Sequence, residues 1–339
     1  MSGKSEIFAI KRVSMSRADK LSAQGYINEI NLLRKFENNP YIIQLYDAEN
    51  NKEKGVLYMV MEFGECDLYA LLKRHGAHPL SMNFIRMYWE QMLRAVHTIH
   101  EHRIVHSDLK PANFLLVKGS LKLIDFGIAK AIGNDTTNIH REHHIGTVNY
   151  MSPEAITDTS TDSGQRLMKL GRPSDIWSLG CILYQMCYGR TPFSHLSLMQ
   201  KLVAIPNQAH SISFPKYMAG CLQAGTDRDC NSDNSRPDIP DEDRVRVPPE
   251  LLDVLQSCLD RDPKARMTIP QLLEHPLLKP VPIAEIVSDT VRATLNALKQ
   301  HSNLLDSWGS SADQDENVIT RLFGVIDRMK RASQGDGLR

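Results

Sequence analysis

The sequence lacks the features that would direct it to a membrane, to secretion or to nucleic acid. No apolar run among its 339 residues approaches the roughly 18 residues that a membrane-spanning helix needs, and no signal peptide opens it. Its 6 cysteines show neither paired metal spacing nor a disulfide framework, which favours reduced thiols. Lysine plus arginine equals aspartate plus glutamate at 40 each, so no global charge attracts nucleic acid. We expect a soluble protein of the nucleus or cytoplasm, with no direct membrane or nucleic-acid partner.

What the sequence does contain is a dense set of polar residues suited to phosphate chemistry between positions 104 and 127. Asp108 can accept a proton from a hydroxyl, and Lys110 can neutralise a phosphoryl group in transfer. Asn113 and Asp125 offer the hard oxygen ligands that Mg²⁺ prefers. These residue types at this spacing match the general template of phosphoryl transfer. A polar loop between two strands is the plainer interpretation, and we disfavour it because several specified positions coincide.

The same segment resembles the catalytic loop of eukaryotic-type protein kinases, and the resemblance extends from Phe8 to about Leu278. Ser107 stands between His106 and Asp108, where most kinases carry arginine. This departure and several stretches are similar to the monopolar spindle (TTK-type) checkpoint kinases. The stretches are VHSDLKPANFL from Val105, GTVNYMSPEAI from Gly146, YMVME from Tyr58 and VHTIH from Val96.

The resemblance implies an α+β fold, a bilobal protein kinase-like domain over residues 1–278. Its β-rich N-lobe, residues 1–63, would lack the first two strands, and its mainly helical C-lobe would span 64–278. A polar insertion is expected at about 218–246, and a helical or flexible tail at 279–339. Apolar periodicity itself predicts strands at 7–13, 42–47 and 56–62, a helix at 23–36, and helices at 82–101, 174–188, 196–205, 249–259 and 269–274.

The resemblance also implies the residues of an ATP site. Lys11 corresponds to the strand lysine that meets the α- and β-phosphates, and Glu29 to its ion-pair partner on the next helix. Asp67 is placed either to meet the ribose or to cap a helix, and both alternatives stay open. The expected adenine-side residues are the gatekeeper Met61, the hinge residues Glu62, Phe63 and Gly64, and Leu115 beneath the base.

A glycine-rich loop over the phosphates precedes the strand lysine in protein kinases, whereas Gly3 is the only glycine before Lys11 here. We expect either an N-terminally truncated product or a start placed at an internal methionine, and we favour the second. Because that loop supplies main-chain donors and excludes water, we expect weak MgATP binding and slow turnover without it.

Other residues are expected to regulate or support the site. Thr136, Thr137 and Thr147 are candidate phosphorylation sites, although Thr147 could instead hydrogen-bond the catalytic loop. Lys130 could partly replace the missing loop arginine as a phosphate ligand, and a solvated lysine is an equally good interpretation. Five residues are expected to support the site. His106 and Phe126 should belong to an apolar column between the lobes, and Asp175 should accept hydrogen bonds from main-chain amides of the catalytic loop. Glu154 should form an ion pair with Arg266.

The resulting hypothesis is a Ser/Thr or dual-specificity protein kinase that uses ATP and Mg²⁺ and acts in the spindle checkpoint and chromosome segregation. Its expected partners are protein substrates and kinetochore or checkpoint proteins, with a nuclear or kinetochore location. The alternative is a truncated, weakly active or non-catalytic pseudokinase that serves as a scaffold. Intact Lys11, Asp108, Asn113 and Asp125 argue against that alternative.

Overall fold

The structure is a computed structural model that describes residues 7–15, 20–51, 53–76, 78–126, 147–158, 171–219 and 244–279. An antiparallel sheet comes first, with strands β1 (Phe8–Ser14), β2 (Leu45–Asn51) and β3 (Val56–Glu62) in the order β1-β3-β2. Helix α1 (Lys20–Lys35) follows β1 in the chain. The central strand β3 is rich in apolar and β-branched residues and carries the most buried side chains of the sheet, which suits a strand paired on both edges.

A second small sheet has the order β4-β5-β6, with β4 (Cys66–Asp67), β5 (Phe114–Val117) and β6 (Ser120–Leu123). It contacts the segment that leads into β2, where Ile42 forms an isolated parallel bridge with Leu123. The Ile43 amide also donates to the Leu123 carbonyl at 3.0 Å. The candidate site residues lie on and around this junction.

Helices form most of the remaining described chain. The long helix α3 (Met82–Glu101) is amphipathic, and it begins after Ser81, whose hydroxyl accepts from the Phe84 amide at 3.2 Å. Its apolar face buries Trp89, Met92 and Leu93. The helices are α2 (Leu68–His75), α3 (Met82–Glu101), α4 (Pro153–Asp158), α5 (Arg172–Tyr188), α6 (Leu198–Ala204), α7 (Pro249–Cys258) and α8 (Ile269–Glu274), with 3₁₀ turns at Pro111–Asn113, Thr147–Tyr150 and Pro276–Leu278.

Helix α5 runs through the centre of the helical part and is buried almost all round. Its Gly180 is required by close packing, because a Cβ there would lie 2.6 Å from the Cβ of Cys258 on α7. The helix ends at Gly189, which adopts the left-handed conformation with φ 69°. Among the described residues no helix combines the length and apolar character that crossing a membrane requires.

The α+β prediction is confirmed, with differences in detail. The second strand runs from Leu45 to Asn51 and not from 42 to 47. The apolar residues Ile42 and Ile43 are buried at the junction of the two sheets, while the polar residues after Asp47 pair with β3 along an edge. Sequence periodicity could not separate these roles, because burial without strand pairing leaves the same apolar signature.

The predicted insertion at 218–246 is described only at its two ends. There Tyr217 and Arg246 form an antiparallel bridge, and the Met218 amide donates to the Val245 carbonyl at 2.8 Å. The chain therefore leaves and re-enters the helical part at one place. Residues 220–243 lie outside the described part, as does the predicted tail beyond Lys279.

Candidate phosphotransfer site

The strand lysine and the helix glutamate meet as an ion pair. Lys11 Nζ lies 2.8 Å from Glu29 Oε1, with the lysine side chain 34% exposed and the glutamate side chain 2% exposed. Burial raises the pKa of Glu29, the Lys11 charge and hydrogen bond oppose that shift, and the nearby Asp125 carboxylate adds to it. Lys11 is therefore fixed in space by a buried carboxyl while its ammonium remains accessible.

The catalytic loop is anchored by the buried carboxylate of Asp175, near the start of α5. Asp175 accepts hydrogen bonds from the main-chain amides of His106 and Ser107, each at 2.9 Å. The same carboxylate also contacts α3, because His100 Nε2 lies 2.7 Å from Asp175 Oδ2. Arg172 in turn donates to the His100 carbonyl at 2.7 Å. The loop is thus tied to α3 and α5 by polar contacts, and the two that join Asp175 to His100 and to the His106 amide are buried, where hydrogen bonds are strong.

The imidazole of His106 connects the two acidic residues of the site. Its Nδ1 accepts from the Asp108 amide at 3.3 Å, and its Nε2 is hydrogen-bonded to the Asp125 carbonyl. Since Nδ1 accepts, Nε2 must carry the proton, so the ring is neutral. Burial lowers the pKa of His106, against the opposing charge of Asp175, and favours the same neutral form.

Ser107 adopts a left-handed backbone conformation with φ 66°, which is uncommon for a residue with a side chain. The amides of His106 and Ser107, at this turn of the chain, both donate to the carboxylate of Asp175. These hydrogen bonds help to hold the backbone in the strained conformation at Ser107.

Asp108, Lys110 and Asn113 lie together on the described loop. Lys110 Nζ is 3.3 Å from Asp108 Oδ2. The Asn113 side-chain oxygen accepts from the Lys110 amide at 3.1 Å, and its backbone carbonyl accepts from the Ile124 amide at 2.9 Å. The second bond fixes Asn113 beside the residue that precedes Asp125, so the loop and the end of β6 are held as one unit.

The segment after β3 is tightly packed against β5. A Cβ on Gly64 would lie 2.4 Å from Leu115 Cδ2 and 2.8 Å from the Leu116 carbonyl oxygen, so only glycine fits there. Phe63 is 49% exposed, whereas Met61 and Leu115 are half-buried. Met61, Gly64 and Leu115 therefore form an apolar surface where the segment 62–64 packs on β5.

Two residues of the predicted ATP site, Glu62 and Asp67, have roles within the fold. Glu62 forms a 2.6 Å ion pair with Lys122 on β6, which links the two sheets. Asp67 caps α2, because its Oδ1 accepts from the Ala70 amide at 2.8 Å. Of the two alternatives that the sequence left open for Asp67, the capping role is thus present.

Glu154 and Arg266 form a bidentate ion pair, with Nη1–Oε1 2.7 Å and Nη2–Oε2 2.9 Å. Burial opposes ionisation of Glu154, but the hydrogen bonds and charge of Arg266 outweigh it and lower the pKa of Glu154. The Ser174 hydroxyl donates to the same carboxylate at 2.9 Å, and the guanidinium lies over the Trp177 ring. The pair joins the start of α4 to the segment before α8.

Phe126 is buried and stacks on Phe36 with ring centroids 5.8 Å apart. Phe36 also contacts the His102 ring edge to face at 4.9 Å. The sequence marked Phe36, the residue after α1, as part of an apolar helix face but not as a contact of Phe126. Sequence reasoning missed His100 and Lys122. For His100 a signal existed, namely one histidine on the apolar face of α3, whereas nothing in the sequence marked Lys122.

Several predicted regulatory residues cannot be placed. Lys130, Thr136 and Thr137 lie outside the described residues. Thr147 begins the 3₁₀ turn Thr147–Tyr150, but its side chain lies outside the described part. Their proposed roles remain predictions.

The donor set of the site suits a phosphate-bound Mg²⁺. Asn113 is buried with an oxygen available for a second acceptor bond, and the half-buried Asp125 is held beside it through the Ile124 amide. No cluster of histidine, cysteine or acidic residues that could hold a metal alone occurs among the described residues. Mg²⁺ typically takes one or two protein oxygens and completes its shell with phosphates and water, so this sparse set fits.

Comparison with known proteins decides the family, because the protein kinase domain matches residues 1–278. This chain belongs to the protein kinase family. It is 57% identical over 280 residues to the Serine/threonine-protein kinase mph1 of Schizosaccharomyces pombe, which covers 82% of this chain and 40% of that relative. It is 43% identical over 344 residues to the Dual specificity protein kinase Ttk of Danio rerio, which covers 98% of this chain and 31% of that relative.

The predicted resemblance to TTK-type kinases is therefore confirmed. A further relative, the Dual specificity protein kinase TTK of Mus musculus, is 45% identical over 281 residues, or 81% of this chain and 29% of that protein. The chain spans less than half the length of these curated relatives.

Proposed function

We propose that this chain is an ATP-dependent protein kinase that transfers phosphate to serine or threonine hydroxyls. The observation that carries the proposal is the His106 ring, which holds the main chains of Asp108 and Asp125 at one point. An acid that takes a proton and an acid that binds Mg²⁺ need such a fixed separation. The Lys11–Glu29 pair supplies an oriented cation in the same region.

In the proposed mechanism, MgATP when bound supplies the phosphoryl group. Asp108 orients the acceptor hydroxyl and takes its proton on a carboxylate oxygen. Lys110, whose ammonium lies 3.3 Å from that carboxylate, offsets negative charge beside it. The side-chain oxygens of Asn113 and Asp125 would hold Mg²⁺, and Lys11 would pair with phosphate oxygens. The phosphoryl group would form a bond to the hydroxyl oxygen as its bond to ADP breaks, and ADP would be the leaving group.

The proposal extends to the substrate specificity, the domain bounds, the phosphorylation sites and the cellular role. Dual specificity toward tyrosine is supported by the names of the fish and mouse relatives. We propose residues 1–278 as the kinase domain, with Thr136 and Thr137 as phosphorylation sites and Lys130 as a phosphate ligand. We also propose a role in the spindle checkpoint, with kinetochore proteins as partners in the nucleus; the resemblance to checkpoint kinases supports it.

A substitution at the proposed base tests the activity. Asp108→Asn keeps the shape of the side chain but removes the proton acceptor, so phosphate transfer to a serine-containing basic protein should fall by about 10³-fold or more. Asp47→Asn, at an exposed carboxylate of β2, is the matched control and should leave the rate unchanged. Transfer of radiolabelled phosphate measures both. Activity in Asp108→Asn equal to that of the control would contradict the assignment.

A further inference from the structure

A cavity of about 760 Å³ opens between the end of α3, the start of α5 and the segment that leads into α8. We call it the α3–α5–α8 cavity. None of the four proposed phosphotransfer residues Lys11, Asp108, Asn113 and Asp125 lines it. Its volume falls within the roughly 300–1,000 Å³ that is typical of sites for small organic ligands.

The wall of the α3–α5–α8 cavity is mainly apolar and stiff. Ile176 and Ile269 are buried, and Met267 is half-buried beside them. Prolines 173, 263 and 270 also line the cavity. Because proline restricts its own backbone and that of the preceding residue, this wall is preformed and loses little conformational entropy when a ligand binds.

The charges of the lining do not cancel. Arg266 is matched by Glu154, and His97 lies 3.4 Å from Glu101. Arg172 uses one N–H on the His100 carbonyl, and within the described ranges no carboxylate pairs with its guanidinium.

Lys264 is a second unmatched cation of the lining. It is exposed, and the described part of the chain contains no ion pair to it. With Glu101 facing His97, the opening of the cavity carries excess positive charge over an apolar interior. This combination favours a ligand with an apolar body and one anionic end.

We propose that the α3–α5–α8 cavity binds an apolar carboxylate, an aromatic or branched aliphatic acid of small-molecule size. Its hydrocarbon body packs on Ile176, Met267 and the prolines, and its carboxylate receives paired hydrogen bonds from Arg172. The planar guanidinium fork matches a carboxylate in this way, whereas an ammonium does not, so Lys264 contributes charge only.

The proposed site is connected to the catalytic loop through a short chain of contacts. Arg172 holds the carbonyl of His100, and the His100 ring contacts Asp175, which accepts the loop amides of His106 and Ser107. A ligand on Arg172 therefore stabilises the elements that carry the loop. By mass action it should raise the unfolding temperature of the protein.

The test uses 2-naphthoate as the probe and the full chain without nucleotide. Isothermal titration calorimetry should show binding to the unmodified protein. Arg172→Gln should weaken binding about tenfold, as expected for the loss of a partly exposed charge-assisted bond. The neutral 2-naphthamide should bind both proteins equally, because it lacks the charge that Arg172 recognises. Arg74→Gln, the same change at an exposed arginine of α2, should leave naphthoate binding unchanged.

A second variant locates the ligand body. Met267→Trp fills the cavity and should abolish binding of both probes, provided that its unfolding temperature shows a folded protein. Naphthoate binding that is equal in Arg172→Gln and the unmodified chain would overturn the proposal, as would no binding at millimolar concentration. The measurement contains no ATP and no phosphate transfer, so its outcome is independent of the proposed kinase activity.

Discussion

The catalytic loop and the Lys11–Glu29 pair serve one proposed reaction but are held in different ways. The loop is fixed by the buried carboxylate of Asp175, which is bonded to two loop amides and to the His100 ring. Lys11 lies on β1, an edge strand of the sheet within the described residues, and its contact with Glu29 is a single ion pair.

This difference separates stability from activity. Asp175 and His100, which hold the loop, are buried and hydrogen-bonded to each other, so their loss costs folding free energy as well as geometry. Lys11 is one-third exposed, so its loss removes a charge that the fold does not need. The conformation of the loop therefore depends on contacts that also stabilise the fold, whereas folding does not depend on the charge of Lys11.

The largest expected effect on stability is at Asp175. Asp175→Ala removes the acceptor of the buried His106 amide, the partner of the buried His100 ring and the acceptor of the Ser107 amide, and we expect a loss of about 3–5 kcal/mol in the free energy of unfolding. Urea unfolding measures it. The control Asp253→Ala removes a carboxylate that is 62% exposed and pairs with His275, and it should cost about 1 kcal/mol or less. Equal losses in the two variants would contradict the proposed anchoring.

A comparable loss is expected at the buried pair that joins α4 to the segment before α8. Glu154→Gln leaves the Arg266 guanidinium, whose side chain is fully buried, without a carboxylate, which should cost about 3 kcal/mol. Glu90→Gln breaks the exposed pair with Arg94 and should cost about 0.5 kcal/mol. Chemical denaturation of both variants tests the contrast, and a small loss for Glu154→Gln would show that this pair is not needed for folding.

Lys11 should show the opposite profile. Lys11→Met is expected to lower phosphate transfer by about 10²-fold or more, because the phosphate-directed charge is lost. Its unfolding temperature should change little, since burial raises the pKa of Glu29 and lets the carboxyl take a proton once its partner is gone. Transfer assays and thermal unfolding on the same samples measure the two effects. A large stability loss with full activity would reverse the comparison.

The catalytic roles of Asp108, Asn113 and Asp125 stay predictions from the sequence. The structure contains some of the supporting contacts that the sequence suggested, such as the loop amides that donate to Asp175, and it adds others that the sequence did not mark. Asp108, Asn113 and Asp125 are recognisable because the spacing of their residue types is specific to one chemistry. His100 and Lys122 act through contacts across the fold, with Asp175 and Glu62 respectively, and sequence spacing contains no information on such pairs. The strand error at 42–47 has the same cause, since sheet-to-sheet packing and strand pairing bury similar apolar residues.

The pH dependence of the free energy of unfolding should reflect the neutral imidazole of His106, which is hydrogen-bonded to the main chains of Asp108 and Asp125. Burial lowers the pKa of His106 below its unfolded value near 6.5, so below that pH the unfolded chain binds a proton that the folded chain excludes. Stability should therefore be retained above about pH 6.5 and fall as the pH decreases below it.

His106→Gln cannot titrate and should show a shallower decline in the free energy of unfolding between about pH 6.5 and 5. The matched control His75→Gln changes an exposed histidine of α2. An unchanged slope in His106→Gln would contradict the lowered pKa of His106.

The smallest expected effect concerns a buried cation outside both regions. Lys201 on α6 is only 8% exposed, and within the described part of the chain its ammonium takes part in no side-chain hydrogen bond or ion pair. Burial lowers its pKa, so the folded state bears a desolvation cost that no partner offsets. Lys201→Met keeps the length of the apolar stem and removes the charge, and it should raise the free energy of unfolding by about 1 kcal/mol. Lys73→Met, at an exposed lysine of α2, should change it by less than about 0.5 kcal/mol. Destabilisation by Lys201→Met would instead show that the ammonium has a stabilising partner. Lys201 would then resemble the groups that hold the catalytic loop, whose contacts stabilise the fold, and not Lys11.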